Sequence, residues 1–241
     1  MKYYLTDKIF IKDNDYYYES DNQENKIKET NWHIHLNEYG WMKLNKKWII
    51  ILNKLLETKK KKNSKFGILD CTIEDGDCLF SCICYAMKDI YNTFDPKTLR
   101  KDLSNIITDE VFTNIIDLYR ISKVYNEFNE SWDPDTITIE EFKLKLREGG
   151  NEYWGDFLIL NLLKEYLNIN FIILYSNDLT KKYYNYPLFY EYDKNIQTII
   201  LLYEDDSHFK LIGNFQGNTM VTLFSHKTIP KEILYLIKQI R

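Results

Sequence analysis

The spacing of apolar residues changes from helix-like to strand-like along the chain, and this change constrains the fold more than any other feature. Between residues 79 and 168, apolar side chains recur every three to four positions, as in amphipathic helices. We predict helices over 79–90, 96–107, 109–129, 138–149 and 154–168. Strand-type runs follow at 171–175, 198–203 and 209–213, before a C-terminal helix from Lys231. Helices that come first and strands that cluster late predict an α+β fold rather than a regular doubly wound sheet.

Two of these helices have boundary signals with a clear chemical basis. Asp95 precedes Pro96, so a carboxylate can accept the free N–H groups of a first turn in which proline needs no donor. Thr138 opens the fourth helix, and the pair Gly149 and Gly150 is predicted to end it. These signals are local, and so they place helix ends without reference to tertiary packing.

Residues 1–65 are predicted to form an N-terminal extension of unknown role. Short strands are expected in it over 2–5 and 8–12, a polar loop over 13–29, and a helix, or a strand leading into a helix, over 48–56. A lysine run at 59–62 follows, and because like charges repel one another we predict a solvated linker there. A nuclear-import signal or an anion-binding patch is the alternative. We place the domain boundary at this run, with the main domain over 66–241.

Composition and charge exclude several classes of function. The 241 residues are 44% hydrophobic and 28% charged, which supports a sizeable core and argues against a disordered chain. The net charge of −4 argues against general binding to a phosphate backbone. The longest apolar runs, such as 48–52, fall far short of the roughly 20 residues that span a bilayer, and the N-terminus has no continuous apolar segment typical of a secretory signal. We expect an intracellular, monomeric protein that binds neither nucleic acid nor membrane.

All four cysteines lie in one short segment, which bears on both redox state and metal binding. They are Cys71, Cys78, Cys82 and Cys84. Structural disulfides normally join distant positions to close loops, so this clustering indicates a reduced protein. A tetrahedral zinc site usually needs two pairs of Cys or His ligands, and no second cluster follows this one. We expect neither a metal nor a cofactor.

The segment Asp75-Gly76-Asp77-Cys78-Leu79-Phe80 predicts a reactive thiol. The Asp-Gly turn places Cys78 at the start of an apolar helix, where free N–H groups and the positive end of the helix dipole stabilise a thiolate. The same N–H groups could form an oxyanion hole, and Gly76 lets the backbone approach a substrate carbonyl. The alternative is a buried packing cysteine, since free cysteines are often fully buried.

A thiolate nucleophile needs an imidazole partner, and His208 is the best candidate. It follows a strand and an acidic turn, and it precedes a second strand, so that sheet geometry and nearby carboxylates can hold its ring in one tautomer. His33 and His35 alternate and would share one face of a strand, but no third ligand accompanies them. His226 is predicted to lie in a turn.

Three motifs together resemble the ovarian tumour (OTU) family of papain-like cysteine proteases. The sequence DGDCLF at 75–80 is similar to the nucleophile motif of that family, and His208-Phe209 is similar to its catalytic His-aromatic motif. The sequence YWGD at 153–156, followed by a helix and a strand, is similar to the family's Trp-Gly helix. The resemblance covers roughly residues 66–215 and implies a papain-like fold, with a small sheet flanked by helices.

The resemblance also implies an activity and a partner. Members of the family hydrolyse the isopeptide or peptide bond after the C-terminal glycine of ubiquitin or a ubiquitin-like modifier. By position in the motifs, Cys78 is the nucleophile, His208 is the general base, and Asp75 shapes the oxyanion loop. Two alternatives stay open: a non-catalytic OTU-like module that binds ubiquitin or another partner, and a protease that acts on a ubiquitin-like modifier or a polyprotein.

Two positions depart from the family pattern. Ser81 stands where many members have arginine, which is expected to alter packing and to leave the chemistry intact. Lys210 stands where many members have the Asp or Asn that orients the imidazole, and lysine cannot accept a hydrogen bond. Either another acceptor orients His208, with Asp75, Asp205 and Asp206 as candidates, or the ring is held loosely.

Overall fold

The computed structural model of the chain describes residues 1–56, 64–72, 76–88, 90, 95–125, 128, 130–186 and 192–238. It consists of two compact units, one formed by Met1–Asp70 with Asn170–Arg241 and the other by Cys71–Ile169. The mixed helix-and-sheet character expected from the sequence is confirmed. Compactness does not test which segment folds alone, and so the boundary between 1–65 and 66–241 stays a prediction.

The chain begins with a four-stranded antiparallel sheet, and the polar loop predicted over 13–29 is wrong. Its strands are β1 (Lys2–Tyr4), β2 (Ile9–Lys12), β3 (Asp15–Ser20) and β4 (Gln23–Lys26), paired in that order. The pairs Asp13-Asn14 and Asp21-Asn22 all have positive φ, between 51° and 64°. Two consecutive left-handed residues close a tight hairpin, and Asn and Asp adopt that conformation most readily after glycine. The polar residues therefore turn the strands instead of forming a loop.

Short elements connect this sheet to the second unit. They are α1 (Trp32–His35), a 3-10 turn (Leu36–Tyr39), β5 (Trp41–Lys43), α2 (Lys46–Leu55) and β6 (Phe66–Leu69). The helix predicted over 48–56 is confirmed as α2, and the Asn45 side chain caps it by accepting the N–H of Lys47 at 2.9 Å. The strands β5 and β6 were not predicted, because runs of three and four residues are too short to show a period. The lysine run at 59–62 lies outside the described residues.

The second unit carries the five predicted helices, which are confirmed, but the helix predicted over 109–129 ends at Val124 and the one predicted over 154–168 begins at Phe157. They are α3 (Cys78–Met87), α4 (Pro96–Ile106), α5 (Asp109–Val124), α6 (Ile139–Glu148) and, after a 3-10 turn (Gly150–Glu152), α7 (Phe157–Leu167). The Asp95 side chain accepts the N–H of Thr98 at 2.9 Å, as its place before Pro96 predicts. Thr138 and Glu141 form a reciprocal capping box at the start of α6.

The chain then returns to the first unit and completes a large sheet. The elements are β7 (Ile169–Asn177), β8 (Lys182–Tyr186), β9 (Gln197–Glu204), β10 (His208–Gln216), β11 (Thr219–Val221), β12 (Leu223–Phe224) and α8 (Lys231–Lys238). The three predicted strands and the helix from Lys231 are confirmed. The sheet order is β5-β6-β10-β9-β7-β8, with β11 beside β10 and β12 beside β9.

The core of the first unit lies between the large sheet and helices α2 and α8. Ile200 and Ile212, on adjacent strands, are fully buried with Trp48 of α2 and Ile233 of α8. The Trp48 indole N–H donates to the carbonyl of Tyr175 at 3.2 Å, which satisfies its polar atom inside the core. In the described part of the chain, no helix has the length and apolar character needed to cross a membrane.

Candidate active site

Cys78 is the first residue of α3, in the second unit, as the sequence predicts. A side chain at this position lies beside the free N–H groups of the first turn and the positive end of the helix dipole. The side chain is 2% exposed, and Cys82, one turn further along, is fully buried. The two thiols therefore differ little in exposure, but only Cys78 lies in the first turn of the helix.

The loop before Cys78 packs against the turn that follows α6. Gly76 has a φ of +81°, and a Cβ at this position would lie 2.2 Å from the carbonyl oxygen of Gly150. At Gly155, a Cβ would lie 2.9 Å from the Cβ of Leu79. The N–H of Gly155 points to the carbonyl of Gly76 at 3.5 Å. Glycine at 76 and 155 is thus required by the close approach of two backbone segments, one of them leading into Cys78.

Arg100 also holds this loop, although nothing in the sequence marked it. This residue of α4 is 1% exposed. Its Nε donates to the Asp77 carboxylate at 2.7 Å and its Nη2 donates to the carbonyl of Gly76 at 3.0 Å. Its guanidinium carbon lies 3.9 Å from the centre of the Phe80 ring. Burial lowers the pKa of Arg100 and the Asp77 carboxylate raises it, with burial the larger effect. A buried cation therefore joins the residues on either side of Cys78.

A second buried polar cluster supports the segment at 153–156. The Tyr119 hydroxyl contacts the Tyr153 hydroxyl at 2.6 Å and donates to Asp156 at 2.8 Å, and Asp156 also caps α7. Burial raises the pKa of Asp156. Burial, and next the charge of Asp156, raise the pKa of Glu130 to about 7. Tyr153 is fully buried whereas Trp154 is 38% exposed, so the tyrosine anchors this segment.

His208 is the first residue of β10, in the first unit, and its ring contacts a carboxylate that the sequence analysis did not consider. Its Nε2 lies 3.1 Å from Oδ2 of Asp70. Asp70 directly follows β6, the strand paired with β10. The two side chains are 29% and 45% exposed. The signal that could have identified Asp70 is a short apolar strand, FGIL, that ends in an acid.

The acceptors considered for His208 bind other groups or lie outside the described residues. Asp206 accepts the Tyr175 hydroxyl at 2.7 Å and the Asn177 amide at 2.8 Å. Asp205 accepts the backbone N–H of residue 178 at 3.1 Å. Asp75 lies outside the described residues. Asp205 and Asp206 therefore link the β9–β10 turn by hydrogen bonds to β7 and to the residue that follows it.

Lys210 has a defined partner on the neighbouring strand. Its Nζ lies 2.5 Å from a carboxylate oxygen of Glu204, and Glu204 stands directly opposite His208 in the β9–β10 ladder. Lys210 thus binds the carboxylate of Glu204, the residue of β9 that is paired with His208.

The remaining candidate residues have structural surroundings. His33 and His35 lie in α1 and not in a strand, and the His35 ring packs 4.3 Å from that of Tyr18. His226 lies in a turn, as predicted, with its Nδ1 3.0 Å from the Tyr192 hydroxyl. Burial raises the pKa of Cys84 to about 12. Within the ranges that the structure covers, no three His, Cys, Asp or Glu side chains form a group suited to a metal ion.

Comparison with known proteins yields similarity to solved structures and none in sequence. No family model matches the chain, and no curated protein matches it. The structure is similar to a solved structure described as "Structure of Ovarian Tumor (OTU) domain in complex with Ubiquitin". The TM-score is 0.41 and the identity 17%, over 73% of this chain and 84% of that chain. A similarity of this size carries no weight for function, which is argued below from side-chain chemistry and sequence motifs.

Proposed function

We propose that this protein is a thiol hydrolase that cleaves the isopeptide or peptide bond after the C-terminal glycine of ubiquitin. Cys78 would be the nucleophile and His208 the general base. The observation that carries the proposal is the position of Cys78 as the first residue of α3, behind a loop whose backbone and carboxylate are held by the buried Arg100. The choice of ubiquitin follows from the resemblance of the motifs at 75–80, 153–156 and 208–209 to those of OTU proteases.

A thiol at this position is suited to nucleophilic attack. The thiol lies beside the free N–H groups of the first turn of α3, and thiolate is the reactive form of cysteine. Because Arg100 bonds to both Gly76 and Asp77, the backbone next to the thiol is ordered before substrate arrives. Ordered N–H donors stabilise a developing oxyanion without further reorganisation. In this proposal Asp75, the first residue of the motif at 75–80, shapes the oxyanion loop.

The reaction proceeds in two halves. In the first, His208 takes the proton of the Cys78 thiol, and the thiolate attacks the carbonyl carbon of the substrate glycine. The tetrahedral oxyanion collapses, the C–N bond breaks, and the departing amine takes the proton from His208. In the second half, water gives a proton to His208 and attacks the thioester. The C–S bond then breaks, His208 gives its proton to the leaving Cys78 sulfur, and the released glycine carboxylic acid loses its proton to solvent, which restores the free enzyme. This chemistry would require the papain-like approach of Cys78 and His208, which is part of the proposal.

The test uses ubiquitin that carries an electrophile in place of its C-terminal carboxylate. The wild-type protein should form a covalent adduct, and Cys78→Ala should form none. Cys82→Ala is the matched control, since Cys82 lies on the same helix and is also buried, and it should still react. An adduct that persists in Cys78→Ala would refute the assignment of the nucleophile.

A second candidate, a non-catalytic module that binds ubiquitin, is favoured by one observation. Lys210 stands where an acceptor for the imidazole would be expected, and it is bound to Glu204. Binding of unmodified ubiquitin by a folded wild-type protein that forms no adduct with the electrophilic ubiquitin would support this module over the hydrolase. Adduct formation would exclude it.

A further inference from the structure

We propose that Asp70 is the positioning residue that orients and charges the imidazole of His208, an inference that rests on the proposed hydrolase function. The contact is direct, with 3.1 Å between Nε2 of His208 and Oδ2 of Asp70. The two residues are 138 positions apart in the chain. Asp70 also precedes the nucleophile in sequence, whereas the sequence analysis sought the acceptor near the histidine or within the nucleophile loop.

The register of the sheet explains how this carboxylate reaches the ring. Leu69 of β6 stands opposite Leu211 of β10, so Asp70, one residue further, comes beside Lys210. Alternate residues of a strand face the same side of a sheet, and His208 therefore shares its face with residue 210. A carboxylate from β6 thus arrives on the face of the sheet where a side chain at 210 would otherwise act. Asp70, directly after β6, thus supplies the hydrogen-bond acceptor for the imidazole, because the ammonium group of Lys210 cannot accept one.

Lys210 also affects which carboxylate acts on the imidazole. Glu204 is directly opposite His208 on β9 and would compete for the ring as a second acid. Its carboxylate is bound by Lys210 at 2.5 Å. The strand pairings place two charged features beside the ring: Asp70, which follows β6, and the Glu204–Lys210 pair of β9 and β10. The pair is neutral overall, and Asp70 places a carboxylate oxygen 3.1 Å from Nε2.

The chemical effect follows from the two nitrogens of imidazole. In the neutral ring, an Nε2–H that donates to Asp70 leaves the lone pair on Nδ1, which is then the atom that accepts the Cys78 proton. Once the ring is protonated, the carboxylate stabilises the positive charge. Asp70 takes no part in bond making. Because both side chains are partly exposed, solvent screens the interaction, and we expect a smaller effect than for a fully buried acid.

The experiment compares Asp70→Ala and Asp70→Asn with a matched control, Asp15→Asn. Asp15 is a carboxylate of the same unit that pairs with Lys26 on the N-terminal sheet, which contains neither β6 nor β10. The assay is hydrolysis of a ubiquitin C-terminal amide by the full chain, with kcat and KM measured as functions of pH. Asp70→Ala should lower kcat about tenfold or more at little change in KM, since positioned proton transfer contributes factors of this order or larger. Asp70→Asn should retain more activity, because its amide oxygen still accepts from Nε2–H.

The pH profile separates positioning from a structural role. Without the Asp70 carboxylate the imidazolium is less stable, so it loses its proton at lower pH. Neutral His208 is the base, so its protonation gives the acidic limb of kcat/KM. That limb should therefore move to lower pH in Asp70→Ala and stay in place in Asp15→Asn. Unchanged kcat and an unchanged acidic limb in Asp70→Ala would overturn the inference while leaving the hydrolase intact.

A spectroscopic readout tests the inference without turnover. In wild-type protein, the ¹⁵N shifts of the His208 ring should show the proton on Nε2 when the ring is neutral. Asp70→Ala should shift that population towards the other tautomer. A wild-type ring with its proton on Nδ1 would overturn the role of Asp70 whether or not the protein is active. Absence of an adduct with electrophilic ubiquitin would separately refute the hydrolase on which the role depends.

Discussion

Arg100→Met should destabilise the protein strongly, because it removes the cation from a buried ion pair while leaving the anion. The side chains of Arg100 and Asp77 are 1% and 14% exposed, and the guanidinium also bonds to the carbonyl of Gly76. Removing one partner of a buried pair costs about 3–5 kcal/mol, since the remaining charge is desolvated and unpaired. Loss of the hydrogen bond to Gly76 adds about 1 kcal/mol, the net worth of a typical hydrogen bond. Methionine retains much of the packing volume against Phe80.

Arg120→Met is the matched control for this prediction. Arg120 lies in the same unit and pairs with Asp117 at 2.8 Å, but its side chain is 46% exposed. Exposed pairs contribute about 0–1 kcal/mol, and so the control should lose little stability. The assay is urea-induced unfolding of the two variants and wild type, with the free energy of unfolding taken at a common slope.

A double-mutant cycle makes the reasoning refutable. If the cost comes from an unpaired Asp77 charge, then Asp77→Asn should recover part of the stability in the Arg100→Met background while destabilising the wild-type background. A loss below about 1 kcal/mol in Arg100→Met, or no coupling between the two changes, would refute the claim that this pair is buried and mutually dependent. A folded Arg100→Met protein should also react more slowly with electrophilic ubiquitin than Arg120→Met does.

Three further predictions follow from individual residues. The pKa of Glu130 is raised to about 7 in the folded state, above its ordinary value of 4.5. The folded state therefore binds more protons than the unfolded state, and the free energy of unfolding should fall as pH rises from about 4.5 to 7. This fall should be shallower in Glu130→Gln, and an equal slope in both proteins would contradict the prediction. Gly76→Ala should destabilise the protein more than Gly217→Ala does. Both positions have positive φ, but only a Cβ at position 76 meets backbone, 2.2 Å from the Gly150 oxygen. The control, Gly217→Ala, should lose about 1–2 kcal/mol from the left-handed conformation alone, and equal losses of the two variants in thermal unfolding would argue against close packing of the loop at 76. Cys84, whose pKa is about 12, should resist iodoacetamide at pH 7.5 in the native protein, as mass spectrometry of digested peptides can check, and rapid labelling there would contradict its burial.

The helices of the second unit could be predicted because their signals are local. Asp95 before Pro96 and Thr138 before Glu141 each satisfy free N–H groups within three residues, so the sequence alone places the start of α4 and of α6. The hairpins of the N-terminal sheet were also encoded locally, in Asp13-Asn14 and Asp21-Asn22. A run of polar residues also fits a loop, and only the left-handed preference of each Asp-Asn pair distinguishes the hairpins from one.

The sequence by itself determined the presence of the helices, the starts of α4 and α6, the late strands and the two residues proposed for the chemistry, Cys78 and His208. The tertiary structure decided the groups that surround them. Asp70 contacts a histidine 138 positions away, and Arg100 contacts a loop 24 positions away, through a pairing of strands and a packing of helices that no local pattern encodes. The physical reason is range: caps and turns are satisfied within a few residues, whereas the partner of a charged side chain is whichever group the completed fold brings within hydrogen-bond distance.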